Sequence, residues 1–141
     1  MVLCLIAAWA VLGFTPPLLS IVPKVVRMAC TSIRLDPTFV GAYYGRGMAY
    51  EDKVEYDKAI ADFTEIIRLD PKDAVAYYSR GGAYDDKGEY DKAIADFTEA
   101  IRLDPTLAGT YYSRGNAYEA KGDMTKAKVD FARAKELGYQ P

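Results

Sequence analysis

The chain has no histidine, two cysteines and one tryptophan in 141 residues. The absence of histidine removes the side chain that most often serves as a general base near neutral pH and most often ligates transition metals. Cys4 and Cys30 are too few for a disulfide framework or a thiolate metal site. Lysine and arginine do not outnumber the acids: the net charge is −2, so the basic footprint that nucleic acid demands is missing. There is no glycine-rich phosphate loop, no serine beside a histidine and no cluster with metal-ligand spacing. The expectation is a protein without catalysis, cofactor or metal. What remains is an ordinary globular balance of hydrophobic and charged residues, with tyrosine in excess at twelve.

Those tyrosines belong to a repeat. Gly47, Gly81 and Gly115 each follow an arginine and precede a tyrosine by three residues, and the step from each to the next is the same. Phe63, Phe97 and Phe131 keep that interval, as do Ala59, Ala93 and Ala127. A fixed period of about 34 residues signals a repeat array. Each unit reads as two helices. Tyr77, Gly81 and Tyr84 fall on one helical face, and Ala93, Phe97, Ala100 and Ile101 on another. Gly88 lies between them, where a helix end needs a residue tolerant of the left-handed region. Asp104-Pro105 closes the second helix, because proline lacks an N–H and pushes the preceding residue out of the α region. The small residue at Gly81 allows close helix approach, Ala93 meets it, and Phe97 and Tyr84 fill the space between. A single hairpin of this kind cannot bury its apolar face, and stacked neighbours complete the core.

The series Tyr77, Arg80, Gly81, Tyr84, Ala93, Phe97, Ala100 and Pro105 resembles the tetratricopeptide repeat (TPR) family. It also stands at Tyr43, Arg46, Gly47, Tyr50, Ala59, Phe63, Ile66 and Pro71, and again at Tyr111, Arg114, Gly115, Tyr118, Ala127, Phe131 and Ala134. Tyrosine replaces the family's usual Trp at the first position and arginine replaces its usual Leu at the second. The third copy departs at Leu137-Gly138-Tyr139, where the others read Leu-Asp-Pro. The resemblance implies an all-α, right-handed solenoid of three helix-turn-helix hairpins that binds proteins or peptides in a concave groove. The units are 40–73, 74–107 and 108–141, with helices of the first near 40–53 and 56–69.

Ahead of them, residues 24–39 read as a partial repeat. Ile33 to Pro37 reproduces Ile67 to Pro71, and Val26 and Ile33 stand one period before Ile60 and Ile67. This helix is expected to pack on the first full repeat, thinly, because Ala29 takes the place of the phenylalanine. Residues 1–23 carry no charged side chain. Three readings stay open for them. One is a membrane anchor, followed by Lys24 and Arg27 and leaving the repeats cytoplasmic. Another is a signal peptide without a basic n-region, which implies export. The last is a degenerate repeat, in which Trp9, Leu12 and Gly13 match the motif but Pro16 does not.

Two departures from the repeat carry predictions. Val54 stands where Gly88 and Gly122 stand later. A β-branched residue is disfavoured at positive φ, so the first hairpin is expected to turn with another geometry and to be the softest. Lys128 and Lys135 replace the isoleucines of repeats 1 and 2 on one face of the last helix, as a terminal cap requires.

In the stacking that the resemblance implies, the first helix of each hairpin lines the groove. Tyr44, Tyr78 and Tyr112 then point inward, followed a turn later by Met48, Gly82 and Asn116. Beyond these come Glu51 and Asp52, Asp85 and Asp86, and Glu119. The result is a row of phenols bordered by carboxylates, suited to a basic or neutral protein or peptide segment. The other reading of these tyrosines is packing between adjacent helices. Some TPR proteins hold a ligand's C-terminal carboxylate with Lys and Asn on inner faces; the matching faces here offer Tyr44, Met48, Ser79, Gly109 and Ser113, and that clamp is missing. Arg46, Arg80 and Arg114 each precede an aspartate by sixteen residues, Asp62, Asp96 and Asp130, which predicts an ion pair inside each hairpin. The expected function is a non-enzymatic interaction scaffold. The alternatives are a membrane-tethered, self-associating structural module and a fragment of a longer TPR protein.

Overall fold

The computed structural model describes the backbone of residues 17–140 and the side chains of residues 21–140. Every regular element among them is a helix. A long first helix, α1 (Pro17–Leu35), precedes three hairpins: α2 (Val40–Glu51) with α3 (Tyr56–Leu69), α4 (Ala74–Asp86) with α5 (Tyr90–Leu103), and α6 (Ala108–Ala120) with α7 (Met124–Glu136). Each helix packs on the next in sequence, and the first helices of successive hairpins, α4 and α6, also touch. First helices therefore crowd one side of the array, which makes that side the concave one. This is the solenoid the period predicts.

The seam of each hairpin is built on glycine. A Cβ placed at Gly81 would stand 2.8 Å from two ring carbons of Phe97, inside any real contact distance. Phe97 is fully buried and cannot retreat. The same close approach recurs at Gly47 on Phe63 and at Gly115 on Phe131. Around these rings Ala59, Ala76, Ala83, Ala93 and Ala117 are wholly buried, so small side chains on one helix receive large ones from its neighbour.

The helices end as their sequences dictate. After each Leu-Asp-Pro the aspartate caps its own turn: Asp36, Asp70 and Asp104 Oδ1 accept the backbone N–H of Thr38, Lys72 and Thr106 at 2.9, 3.0 and 2.9 Å. The turn inside the first hairpin corrects the sequence expectation. Val54 takes φ 61°, the region occupied by Gly88 at 76° and Gly122 at 82°. Its hydrogen bonds are theirs as well. Val54 N–H donates to Glu51 O at 2.8 Å and Glu55 N–H to Tyr50 O at 2.9 Å, matching Gly88 to Asp85 and Glu89 to Tyr84. Packing on both sides imposes the geometry and the valine accepts the strain, with its side chain exposed.

At the N-terminal end, the helix expected from residue 24 is already formed at Pro17 and passes through Pro23. Ile33 packs against the core of the first hairpin and Ala29 is buried. Among the described residues no helix is long and apolar enough to cross a membrane. The anchor, signal and degenerate-repeat readings of residues 1–23 fall mostly on residues 1–16, outside the described ones. At the other end, Lys128 and Lys135 are exposed, whereas Ile60, Ile67, Ile94 and Ile101 are half-buried.

Candidate functional site: the concave face

The arginine–aspartate pairs set the frame of the face. Arg46 donates from Nε and Nη2 to the two carboxylate oxygens of Asp62 at 2.9 and 2.6 Å. Arg80 does the same to Asp96 at 2.7 and 2.8 Å, and Arg114 to Asp130 at 2.8 Å through both nitrogens. The predicted pairs are therefore present and bidentate. Each guanidinium also lies over the motif tyrosine of its own helix, 5.7 Å from the Tyr77 ring centre in the second repeat. A further contact was not read from the sequence. The remaining Nη1 of Arg80 reaches back to Thr64 Oγ1, and that of Arg114 to Thr98 Oγ1, both at 3.1 Å. Arg46 meets Cys30 Sγ at 3.4 Å in the same way. The sixteen-residue spacing from Thr to Arg was its only signal.

The three inward tyrosines share a packing rule and differ in everything else. Each ring leans on the phenylalanine of its own hairpin, Tyr44 on Phe63, Tyr78 on Phe97 and Tyr112 on Phe131, with centres 6.2, 5.9 and 5.5 Å apart. Tyr44 donates its hydroxyl to Asp73 Oδ2 at 2.9 Å. Asp73 Oδ1 meanwhile caps α4 through the N–H groups of Val75 and Ala76. Burial and this bond hold the Tyr44 phenol protonated well above its ordinary value. Tyr112 is covered by Tyr139, stacked with ring centres 4.6 Å apart. Tyr78 is the open one, 38% exposed, with no hydrogen-bond partner for its hydroxyl among the described residues. The residues one period after Asp73 and before Tyr139 explain the difference: Leu107 cannot accept from Tyr78, and Pro105 does not stack on it.

Two turns beyond Tyr78, carboxylates gather at the C-terminal ends of α2 and α4. Glu51 is half-buried, and burial, followed by Asp86 and Asp52, pushes its carboxyl up to about 7. Asp85 is raised for the same two reasons, burial and the charge of Asp86. Its Oδ1 is buried and has no hydrogen-bond partner among the described residues. The charge of Asp86 at the end of α4 thus reaches Glu51 at the end of α2. Gly82 leaves open space on this face, Met48 is 59% exposed, and Asn116 is half-buried, while Asp52 and Glu119 lie at the exposed rim. Met48 also borders a hollow of about 300 Å³ with Ile21, Val22 and Val25 of α1, which extends the face toward the N-terminal end. No group of His, Cys, Asp and Glu that could hold a metal ion occurs among the described residues.

Comparison with known proteins agrees with this geometry. Models of the tetratricopeptide repeat match residues 40–73, 63–95 and 108–137, and a further TPR repeat model matches 81–122. No curated protein matches the chain significantly. Among solved structures, a crystal structure of MamA is 36% identical over 79% of the chain, with a TM-score of 0.76, and the chain spans 66% of that MamA chain. MamA from Desulfovibrio magneticus, residue 41 to the end, is 27% identical over 93% of the chain and 70% of its own, with a TM-score of 0.78. The second TPR of Spaghetti (RPAP3), solved with the HSP90 peptide SRMEEVD, is 30% identical over 70% of the chain and 91% of its own, with a TM-score of 0.67. Four family models that together cover residues 40–137, a 30%-identical TPR structure and a seam with one glycine–phenylalanine contact per repeat leave one assignment: the chain belongs to the tetratricopeptide repeat family.

Proposed function

We propose that this protein is an interaction scaffold whose concave face receives an extended, lysine- or arginine-bearing segment of a partner protein. The observation that carries the reading is the cluster of carboxylates, Glu51, Asp52, Asp85 and Asp86, at the C-terminal ends of α2 and α4, two turns along α4 from the open ring of Tyr78. A cation placed among them offsets the burial, and the charges of Asp86 and Asp52, that raise Glu51. Tyr78, two turns back along α4, offers a flat apolar surface for another side chain of the same segment. The TPR family and the RPAP3 structures support the scaffold class, and the second TPR of RPAP3 holds a peptide. That peptide, SRMEEVD, is acidic, whereas the face of the present chain is acidic itself, so the partner here is of the opposite charge. Tyr44, tied to Asp73, and Tyr112, covered by Tyr139, mark the two borders of the open stretch at Tyr78.

The test is a titration of the full chain with unstructured peptides of matched length, acidic, neutral and basic, at two salt concentrations and at pH 6 and pH 8. Basic peptides are expected to bind selectively and more weakly at high salt. They are also expected to bind more tightly at pH 8, because the cation needs Glu51 ionised. Tyr78→Ala should weaken binding about tenfold or more, the range of a buried aromatic anchor, while keeping the fold. Unchanged binding in a folded Tyr78→Ala protein, or a preference for acidic peptides, would falsify the reading.

A further inference from the structure

Helix α1 presents an outward face that the hairpins do not explain and that meets the groove only at Ile21, beside the Met48 hollow. Ile21, Met28 and Leu35 stand seven residues apart and so form one row along the helix, 47%, 71% and 79% exposed. The repeat shows how unusual this is. One period after Met28 stand Asp62, Asp96 and Asp130, each buried and paired with an arginine; one period after Leu35 stand Leu69 and Leu103, half-buried. On α1 the carboxylate has become a methionine and the row faces outward.

The charges that α1 itself places beside the row all have one sign, and Asp52 borders only its N-terminal end, at Ile21. Lys24, Arg27 and Arg34 are exposed along its flank, and α1 contains no acidic residue, in a chain whose net charge is −2. The opposite side of the helix, with Ala29 and Ile33, is spent on α2. The first carboxylate, Asp36, follows the helix, where Oδ1 is bound by Thr38.

We infer that α1 is an interfacial helix, lying in the plane of an anionic lipid surface with Ile21, Met28 and Leu35 among the acyl chains and Lys24, Arg27 and Arg34 at the headgroups. An exposed apolar row flanked by cations is the arrangement that binds such a surface. The row is open and runs about 21 Å along the helix, so it suits a deformable surface better than a shaped pocket. The adjoining sequence points the same way, since residues 1–23 carry no charge that a headgroup layer would repel. The attachment is in-plane: none of the described helices is suited to crossing a membrane. The groove of α2, α4 and α6 stays free for its own ligand.

The test is co-sedimentation of the full chain with vesicles of phosphatidylcholine alone and with about a third phosphatidylglycerol, at low and moderate salt. Partition onto the anionic vesicles only, weakened by salt, is expected. Lys24→Gln/Arg27→Gln/Arg34→Gln should lower it about 100-fold, three cations at about fivefold each. Met28→Glu/Leu35→Glu should lower it at least about tenfold. Both variants should melt as the parent does, because the altered side chains are exposed. No partition onto anionic vesicles overturns the inference, and so does equal partition of Met28→Glu/Leu35→Glu, which would place binding in residues 1–16. A parent that is dimeric without lipid and made monomeric by Met28→Glu/Leu35→Glu also overturns it, since a second copy then covers the row. If the same variant lowers the melting temperature, the row is covered by the chain itself, with the same consequence.

Discussion

The seam between the two helices of a hairpin and the concave face beside it follow different rules. At the seam the three repeats are copies: glycine against phenylalanine, and an arginine fork on an aspartate through bonds that all lie between 2.6 and 2.9 Å. On the concave face one register position has three fates. Tyr44 is tied to Asp73, Tyr78 is open, and Tyr112 is covered by Tyr139. The seam tolerates no variation because each repeat must present the same shape to the next. The groove has no such constraint, and under the proposed function its differences are where one partner would be told apart from another. Substitutions at the seam should therefore cost stability alike in every repeat, and those in the groove should not.

The largest effect is expected at the ion pair. Asp96→Ala leaves the Arg80 fork, 18% exposed, without its carboxylate, and should destabilise by about 2 kcal/mol. A double-mutant cycle with Arg80→Leu, read by chemical denaturation, should show coupling above about 1 kcal/mol. Additive losses would mean that the two side chains act separately, and the seam would lose its claim to be one device. Next comes the turn. Val54→Gly relieves a β-branched residue at φ 61° and should stabilise by about 1 kcal/mol, even after glycine's entropy is counted. No gain in melting temperature would show that the strain is absorbed elsewhere. The smallest effect belongs to the groove. Glu51 has a carboxyl raised in the folded protein to about 7, from an ordinary 4.5, so the folded state holds its proton more tightly. Its contribution to stability is fully present below pH 4.5 and is lost as the pH rises through 7. Glu51→Gln should accordingly leave stability unchanged at pH 4 and raise it at pH 8 by about 1 kcal/mol or less, solvent screening the half-buried group. A gain independent of pH would remove the electrostatic account of the acidic face.

Much of this architecture is legible in the sequence because it is periodic. Gly81 and Phe97, or Arg80 and Asp96, recur at fixed offsets, and a contact that repeats in sequence repeats in space. The bond from Arg80 to Thr64 obeys the same period and is visible in principle. The turn at Val54 is misread when local preference is weighed against nothing; packing on both sides of the hairpin overrides it. The groove is legible only as a set of positions. Asp73, Leu107 and Tyr139 lie outside the motif, and they decide what each inward tyrosine does. The early start of α1 at Pro17 is hidden because the two prolines at 16 and 17 read as interruption, although proline is well placed in a first helical turn.

The backward reach of the arginines has a kinetic side. Arg80 and Arg114 each bind an aspartate sixteen residues ahead and a threonine sixteen residues behind, so the packing of the array is wired almost wholly between neighbours. Such low contact order favours rapid folding from any hairpin, with growth outward in both directions. The wiring is weakest where Arg46 meets the sulfur of Cys30 instead of a hydroxyl, and where alanine at position 29 leaves α1 without an aromatic anchor. Amide exchange should therefore be slowest in α4 and α5 and quicken first through α1, so that the helix inferred to rest on lipid is also the one that detaches from the array at least cost.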